Sequence, residues 1–466
     1  MNTTSDLNFA HYDALQASVE ASFDKYLASL AELVAIPSIA WESFDLSHVE
    51  KSANKVRELA LAAGFPQAEL RTATYGVEQV SGMPAVVASK PAVEGYPTVL
   101  LYAHHDVQPI GDLSEWNTDP FVATRVGDRL FGRGAADDKA GILVHLASFA
   151  ALHEVLGEDF KVGVTLFVEG EEEAGSPSFV DFLHTYKEEL ASDVIIVADS
   201  ANWRAGVPAL TTSLRGVASG TIEVRVGDHA VHSGMFGGPM LDAPTVMSHV
   251  LASLHTSEGE VAVEGLITAP EPEVDYPEEN FRTDSGLLPG MQLAGTGNIA
   301  SRLWSKPAIS VIGMDITSVT ESSNTIAVKC AAKISVRLAP GQDPQEAHRL
   351  IEKHLTTAPP FGAEVKYIVA DSGRPFLADS TESSVQLALG ALQKAWGVEP
   401  VKMGMGGSIP FIADLKNEYP QAHILVTGVE DPDTRAHSAN ESLYLPDFQK
   451  AILAEALILA ELNGQS

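Results

Sequence analysis

Two histidines and a set of carboxylates stand where short apolar runs stop. His104 and Asp106 follow TVLLYA (98–103), and Asp137 and Asp138 open the apolar helical pattern that begins near Lys139. Glu169, then Glu171, Glu172 and Glu173, follow KVGVTLFV (161–168); Asp199 follows DVIIVA (193–198); His437 lies in RAHSANE, after HILVTG (423–428). Runs apolar on both faces read as buried parallel strands, and in open α/β sheets ligands bind beyond the carboxyl ends of such strands. Oxygen and imidazole donors suit Zn²⁺ or Mn²⁺ far better than copper(I) or iron–sulfur chemistry. His104, Asp137, Glu173, Asp199 and His437 are the candidate ligands, one too few for two separate three-ligand sites. A bridging carboxylate resolves this, and Asp137, at a sharp turn beside a second aspartate, is the natural bridge.

Residues two apart on an extended chain project to the same side, so Asp106 can accept the free imidazole N–H of His104 and fix its tautomer. His105 points away and is expected to be an ordinary packed or exposed histidine. Glu172 and Glu173 are adjacent on a turn, so one can ligate a metal while the other faces a bound water as general base. Glu169 is expected to belong to the turn, Lys139 to be an ordinary helix lysine, and Trp203 to be a core or rim aromatic.

The elements that must position these groups are legible as periodicities. Helical spacing is expected over 12–35, ending before Pro37, and over 48–64, closed by Gly64. Helices are also expected from Lys139, over 176–190 and 381–396, and at 446–463. Runs at 98–103, 161–168 and 193–198 alternate with helices, the pattern of a parallel, helix-covered sheet. From about 213 the texture changes: GTIEVRV (220–226), KISVRL (333–338) and EVKYIV (364–369) alternate apolar and polar residues, as half-exposed antiparallel strands do. Helices at 242–254 and 344–356 lie among them, and 259–300 reads as an ordered loop or short helices. The expected architecture is an α/β catalytic domain built from 1–212 and 373–466, with an α+β, ferredoxin-like domain inserted at 213–372.

At 466 residues the chain suggests two or three domains. Its 30 basic and 62 acidic residues give a net charge of −32 without a basic stripe, which argues against nucleic acid as partner. Cys330 is the only cysteine, so neither an intrachain disulfide nor a thiolate cluster can form. No leader pattern opens the chain and no uninterrupted apolar stretch approaches membrane-spanning length, so the expectation is a cytoplasmic protein without a membrane partner.

The segments YAHHDVQP (102–109), GRGAADDKAG (132–141), EGEEEAGS (169–176), HSGMFGG (232–238), ISVRLAP (334–340), GGSIP (406–410) and AHSANE (436–441) resemble, in order, the motifs of the M20 metallopeptidases. Within that family the chain looks most like the carnosinase-type cytosolic dipeptidases. The resemblance implies two divalent metal ions, foremost Zn²⁺ with Mn²⁺ or Co²⁺ as alternatives: His104, Asp137 and Asp199 on one, Asp137, Glu173 and His437 on the other. It implies Asp106 as the group orienting His104 and Glu172 as the base. The inserted domain would be a lid and dimerisation domain carrying His232 as oxyanion donor. Arg337, with Asn324 and Ser408, would bind the free carboxylate of a small peptide. An N-acyl-amino-acid deacylase or succinyl-diaminopimelate desuccinylase remains an alternative, and a catalytically silent metal-binding protein on the same fold a remote one. Family members often have Gly at Ala103, an apolar residue at His105 and a non-acidic one at Glu171. A charged Glu171 is expected to raise the pKa of Glu172 by like-charge repulsion.

Overall fold

The computed structural model describes residues 9–407 and 410–464, so the expected contact at Ser408 lies outside the described residues. The chain forms two compact units. One takes the chain up to Thr212, Ala378–Met403 and the part from Asp414 onward; the other takes Ser213–Leu377 and Gly404–Ala413.

The sheet of the first unit runs Gln67–Arg71, Ala85–Lys90, Gly163–Glu169, Thr98–His104, Val194–Val197, His423–Val426, Ala209–Leu214. Its central four strands, Gly163–Glu169 to His423–Val426, are parallel. The flanking pairs are antiparallel. The helix-covered α/β expectation therefore holds, with its parallel part at the centre.

Alternation along the strands divides the two faces. Leu101, Ala103, Leu166 and Val168 join the core formed with Lys139–Leu156, Tyr12–Val34, Ser383–Trp396 and Leu445–Asn463. Phe167 faces the other way and stacks on Phe182 of Phe179–Thr185, with ring centroids 4.9 Å apart. By length and composition Lys139–Asp159 could cross a membrane. Here nearly all of its first fourteen residues are buried in the protein core. The helix expected over 176–190 is broken into Phe179–Thr185 and Lys187–Leu190.

Register brings the chemistry to one edge. Tyr102 pairs with both Phe167 and Val197. Two residues further along stand His104 and Glu169, which pair as the last row of their strands, and Asp199, just past the end of its own. Two glycines permit close approaches here. A Cβ at Gly428 would lie 1.6 Å from the Ser200 carbonyl oxygen, and one at Gly141 would lie 2.0 Å from Asp138 Oδ1.

The second unit is an antiparallel sheet in the order Ala308–Asp315, Lys329–Leu338, Gly216–Arg225, Glu364–Gly373. Ile222, Val224, Ala332, Ile334, Val336 and Leu338 pack with helices Ala243–Ser253 and Pro344–Thr357. Asp242 and Asp343 cap those helices by accepting the backbone N–H three residues on. The intervening residues, including Arg337, lie on the other face. The short helix Glu278–Ser285 lies within the 259–300 region, and a second, Ile299–Trp304, starts at its end.

Candidate metal centre

His104 is the last residue of its strand, and its Nε2 lies 3.2 Å from Asp137 Oδ1 and 3.9 Å from Asp199 Oδ1. His437, on the loop after His423–Val426, brings its Nε2 to 3.0 Å from Asp137 Oδ2 and 3.3 Å from Glu173 Oε2. The two carboxylate oxygens of Asp137 thus face different histidines. All five expected ligand residues are gathered in the first unit. Asp138 joins them: His104, Asp138 and Asp199 also bring ligand atoms within 4.8 Å of one another, as do His104, Asp137 and Glu173.

The turn bearing the glutamates is held by carboxylates on its own backbone. Asp106, fully buried, accepts the N–H of Glu172 at 3.1 Å and of Glu173 at 3.0 Å, and its Oδ1 lies 3.4 Å from His104 Nδ1. The Asp106 backbone carbonyl, at 3.2 Å, lies nearer that nitrogen than the carboxylate does, and the carboxylate fastens the glutamate turn, where the spacing argument expected it to serve only the imidazole. Glu171 corrects an expectation: it is buried, accepts the N–H groups of Met83 and Ser178 at 2.9 Å, and also accepts the Ser178 hydroxyl. Its charge is spent on fastening the turn. The Glu172 carboxyl is pushed well up by burial, and then by Asp199, Asp106 and Glu173 against the opposing pull of His104. Glu169 is not a turn residue but the end of its strand, buried, accepting the Tyr102 hydroxyl at 2.6 Å.

Opposite this turn, Glu441 holds the Asp137 loop. It accepts from the backbone N–H of Gly134 and Ala136 at 3.0 Å and of Asp137 at 3.1 Å. Arg133 Nη1 donates to it at 2.7 Å, and the guanidinium lies 5.4 Å from the Trp116 ring centroid. Lys139 is likewise no ordinary helix lysine: fully buried, it donates to the carbonyls of Leu33 and Ile36 at 2.9 and 2.7 Å, closing the end of Tyr12–Val34. His105 takes the packed of its two expected states, buried with its Nε2 2.9 Å from the Pro84 carbonyl oxygen.

The donor set fits divalent metal ions. Glu173 Oε1 and Asp138 Oδ1 are buried and have no hydrogen-bond partner among the described residues. Burial, then Asp137, pushes Glu173 up to about 8, and burial pushes Asp199 up to about 6. Glu430, which the sequence reading missed, is half-buried and raised by burial and then by Asp137 and Asp199. So many carboxylates in one low-dielectric place call for cations beyond two histidines. His437 itself has φ +61°, between Arg435 at +58° and Asn440 at +65°, backbone that a non-glycine residue adopts at some cost.

In the second unit, His232 pairs with Thr325, the residue after Asn324. Its Nδ1 accepts the Gly234 N–H at 3.0 Å, which leaves the proton of the neutral ring on the exposed Nε2. Arg337, on Lys329–Leu338, is half-buried.

Residues 100–461 match the family model for peptidase family M20/M25/M40. The cysteinylglycine-S-conjugate dipeptidase of Corynebacterium striatum is 33% identical over 379 residues, covering 80% of this chain and 83% of that protein. A Cys-Gly metallodipeptidase of Schizosaccharomyces pombe is 27% identical over 97% of this chain and 99% of its own length. The crystal structure of human carnosine dipeptidase 1 superposes with a TM-score of 0.74 at 23% identity, covering 97% of this chain and 99% of that one.

Proposed function

The chain belongs to peptidase family M20/M25/M40, and from that premise we propose that it is a metallodipeptidase cleaving the amide bond of dipeptides or similar small peptides with a free C-terminal carboxylate. The observation that carries this proposal is Asp137, whose two oxygens lie 3.2 and 3.0 Å from the Nε2 atoms of different histidines, as a bridging carboxylate requires. His104, Asp137 and Asp199 would hold one ion, and Asp137, Glu173 and His437 the other. Zn²⁺ suits this donor set best, with Mn²⁺ or Co²⁺ as alternatives. When bound, the ions supply Lewis acidity toward the scissile carbonyl and lower the pKa of water.

Glu172 removes the proton from the attacking water and delivers it to the leaving amine. Its backbone N–H is tied to Asp106, so the carboxylate is presented from a fixed turn. His232 donates from Nε2 to the developing oxyanion. Arg337 takes the substrate's free carboxylate, with Asn324 and Ser408 as further contacts. We also assign a homodimer formed through the second unit, in which strand Ala308–Asp315 is exposed from Ser310 onward at the sheet edge. A cytoplasmic location fits the single cysteine, Cys330.

A substrate panel on metal-loaded protein tests the reaction class. Unprotected dipeptides are expected to be cleaved in preference to N-acyl amino acids and succinylated diamino acids; the reverse order would make the chain a deacylase. In the same panel, Arg337→Ala is expected to lower kcat/KM for a free-acid dipeptide about 10- to 100-fold more than for its C-terminal amide. Equal loss on both would remove Arg337 from the carboxylate contact.

A further inference from the structure

The second unit holds a cation that the proposed mechanism does not use. Arg215, immediately before strand Gly216–Arg225, is only 8% exposed. Its Nε donates to the Gly406 carbonyl at 3.1 Å, and its Nη1 reaches the carbonyls of Arg302 at 3.4 Å and Lys306 at 3.5 Å. Each of these acceptors is neutral. Its Nη2 has no hydrogen-bond partner among the described residues. A nearly buried guanidinium is ordinarily held by a carboxylate, because an unpaired charge in a low-dielectric surrounding is costly. Arg215 has none.

Register shows what lies beside it. Gly216 pairs with Leu338 and Val217 with Arg337, while Ala308 pairs with Arg337 from the other side. Continuing both ladders outward sets Arg215 and Lys306 level with Ala339, on opposite flanks of the middle strand. A guanidinium that starts at Arg215 and ends on the Lys306 carbonyl passes over Ala339, whose small side chain leaves room. The preceding residue on that face is Arg337, about 7 Å along the strand, a gap that a carboxylate between the two side chains can bridge. Burial, then the like charge of Arg337, pulls the Arg215 guanidinium down to about 10. Among the described residues neither guanidinium has a carboxylate partner, and two such neighbours make a seat for an anion.

We propose that Arg215 is the second guanidinium of the carboxylate seat, its Nη2 and the Arg337 side chain together gripping the C-terminal carboxylate of the substrate. This rests on the role proposed above for Arg337 and adds a binding residue to it. The carbonyl bonds of Nε and Nη1 aim Nη2 in advance, so little side-chain freedom is lost on binding.

The test compares alanyl-alanine with alanyl-alaninamide on the metal-loaded full chain carrying Arg215→Gln or Arg215→Lys. The preference for free acid over amide in kcat/KM is expected to fall about tenfold or more in Arg215→Gln, through KM and not kcat, with partial recovery in Arg215→Lys. Combined with Arg337→Ala, the loss of preference should be smaller than the product of the two single losses, because both side chains serve one carboxylate. Equal loss on both substrates, or independent effects in the double variant, overturns the proposal and leaves Arg215 as a brace for the Met405–Gly406 segment. Should Arg215→Gln fail to fold, Arg215→Lys carries the same ratio. If the wild-type chain cleaves neither compound, calorimetric titration of both separates the two proposals. Selective weakening of free-acid binding in the Arg215 variants then supports the carboxylate seat while refuting the peptidase assignment, and unchanged binding refutes the seat as well.

Discussion

Replacing Glu172 with glutamine is expected to leave the metal content of the protein unchanged while kcat falls about 100- to 10,000-fold, the range a positioned general base contributes. The two effects separate because Glu172 is not among the five residues proposed as ligands, and glutamine preserves its size and its backbone N–H bond to Asp106 Oδ1. Nor is the turn at risk, since Glu171 and Asp106 fasten it. Metal analysis beside steady-state kinetics on dipeptides measures both quantities. A metal-replete variant that kept most of its turnover would end the assignment of Glu172 as base, and one that lost its metals would make it a ligand.

Glu441→Ala is expected to be the most destabilising single change near the centre, at about 3–5 kcal/mol, because it strands Arg133 as a buried charge. Both partners of that ion pair are at most 1% exposed. Three backbone N–H groups, those of Gly134, Ala136 and Asp137, lose their acceptor at the same time. Denaturant unfolding of the metal-free proteins reads the loss directly, and metal affinity should fall with it as the Asp137 loop is released. A change under about 1 kcal/mol would put the pair in the class of exposed ion pairs and refute the clamp.

What the sequence disclosed and what it hid differ in range. His104, Glu173 and Asp199 were visible because each follows an apolar run short enough to be a buried strand, and parallel strands in register deliver their next residues to one edge. His437 and Asp137 were visible by type and by the turn around them. The parallel centre and the alternating sheet of the second unit were legible for the same reason: their periodicities are local. The antiparallel flanking strands Gln67–Arg71, Ala85–Lys90 and Ala209–Leu214, and the edge strand Ala308–Asp315, were not, since pairing with a distant neighbour decides them. The supports were hidden too. Glu441 and Arg133 meet across 308 residues of chain, and nothing in either neighbourhood announces it. Glu171 looked like an electrostatic perturbation of Glu172 because adjacency in sequence was all that could be seen. Its true partners, Met83 and Ser178, lie on separate segments that only the fold brings together. Lys139 looked like an ordinary helix lysine because nothing local marks it otherwise, and the carbonyls it satisfies lie at and just past the end of a helix more than a hundred residues earlier.

The central claim is that one cluster of carboxylates and two histidines holds a pair of metal ions that make dipeptide hydrolysis possible. Stepwise metal addition to chelated protein, with bound metal and dipeptide cleavage recorded at each step, tests it most directly. No cleavage is expected without metal, and full activity at two ions per chain. Undiminished hydrolysis in the metal-free protein, or saturation of both binding and activity at a single ion, would contradict it.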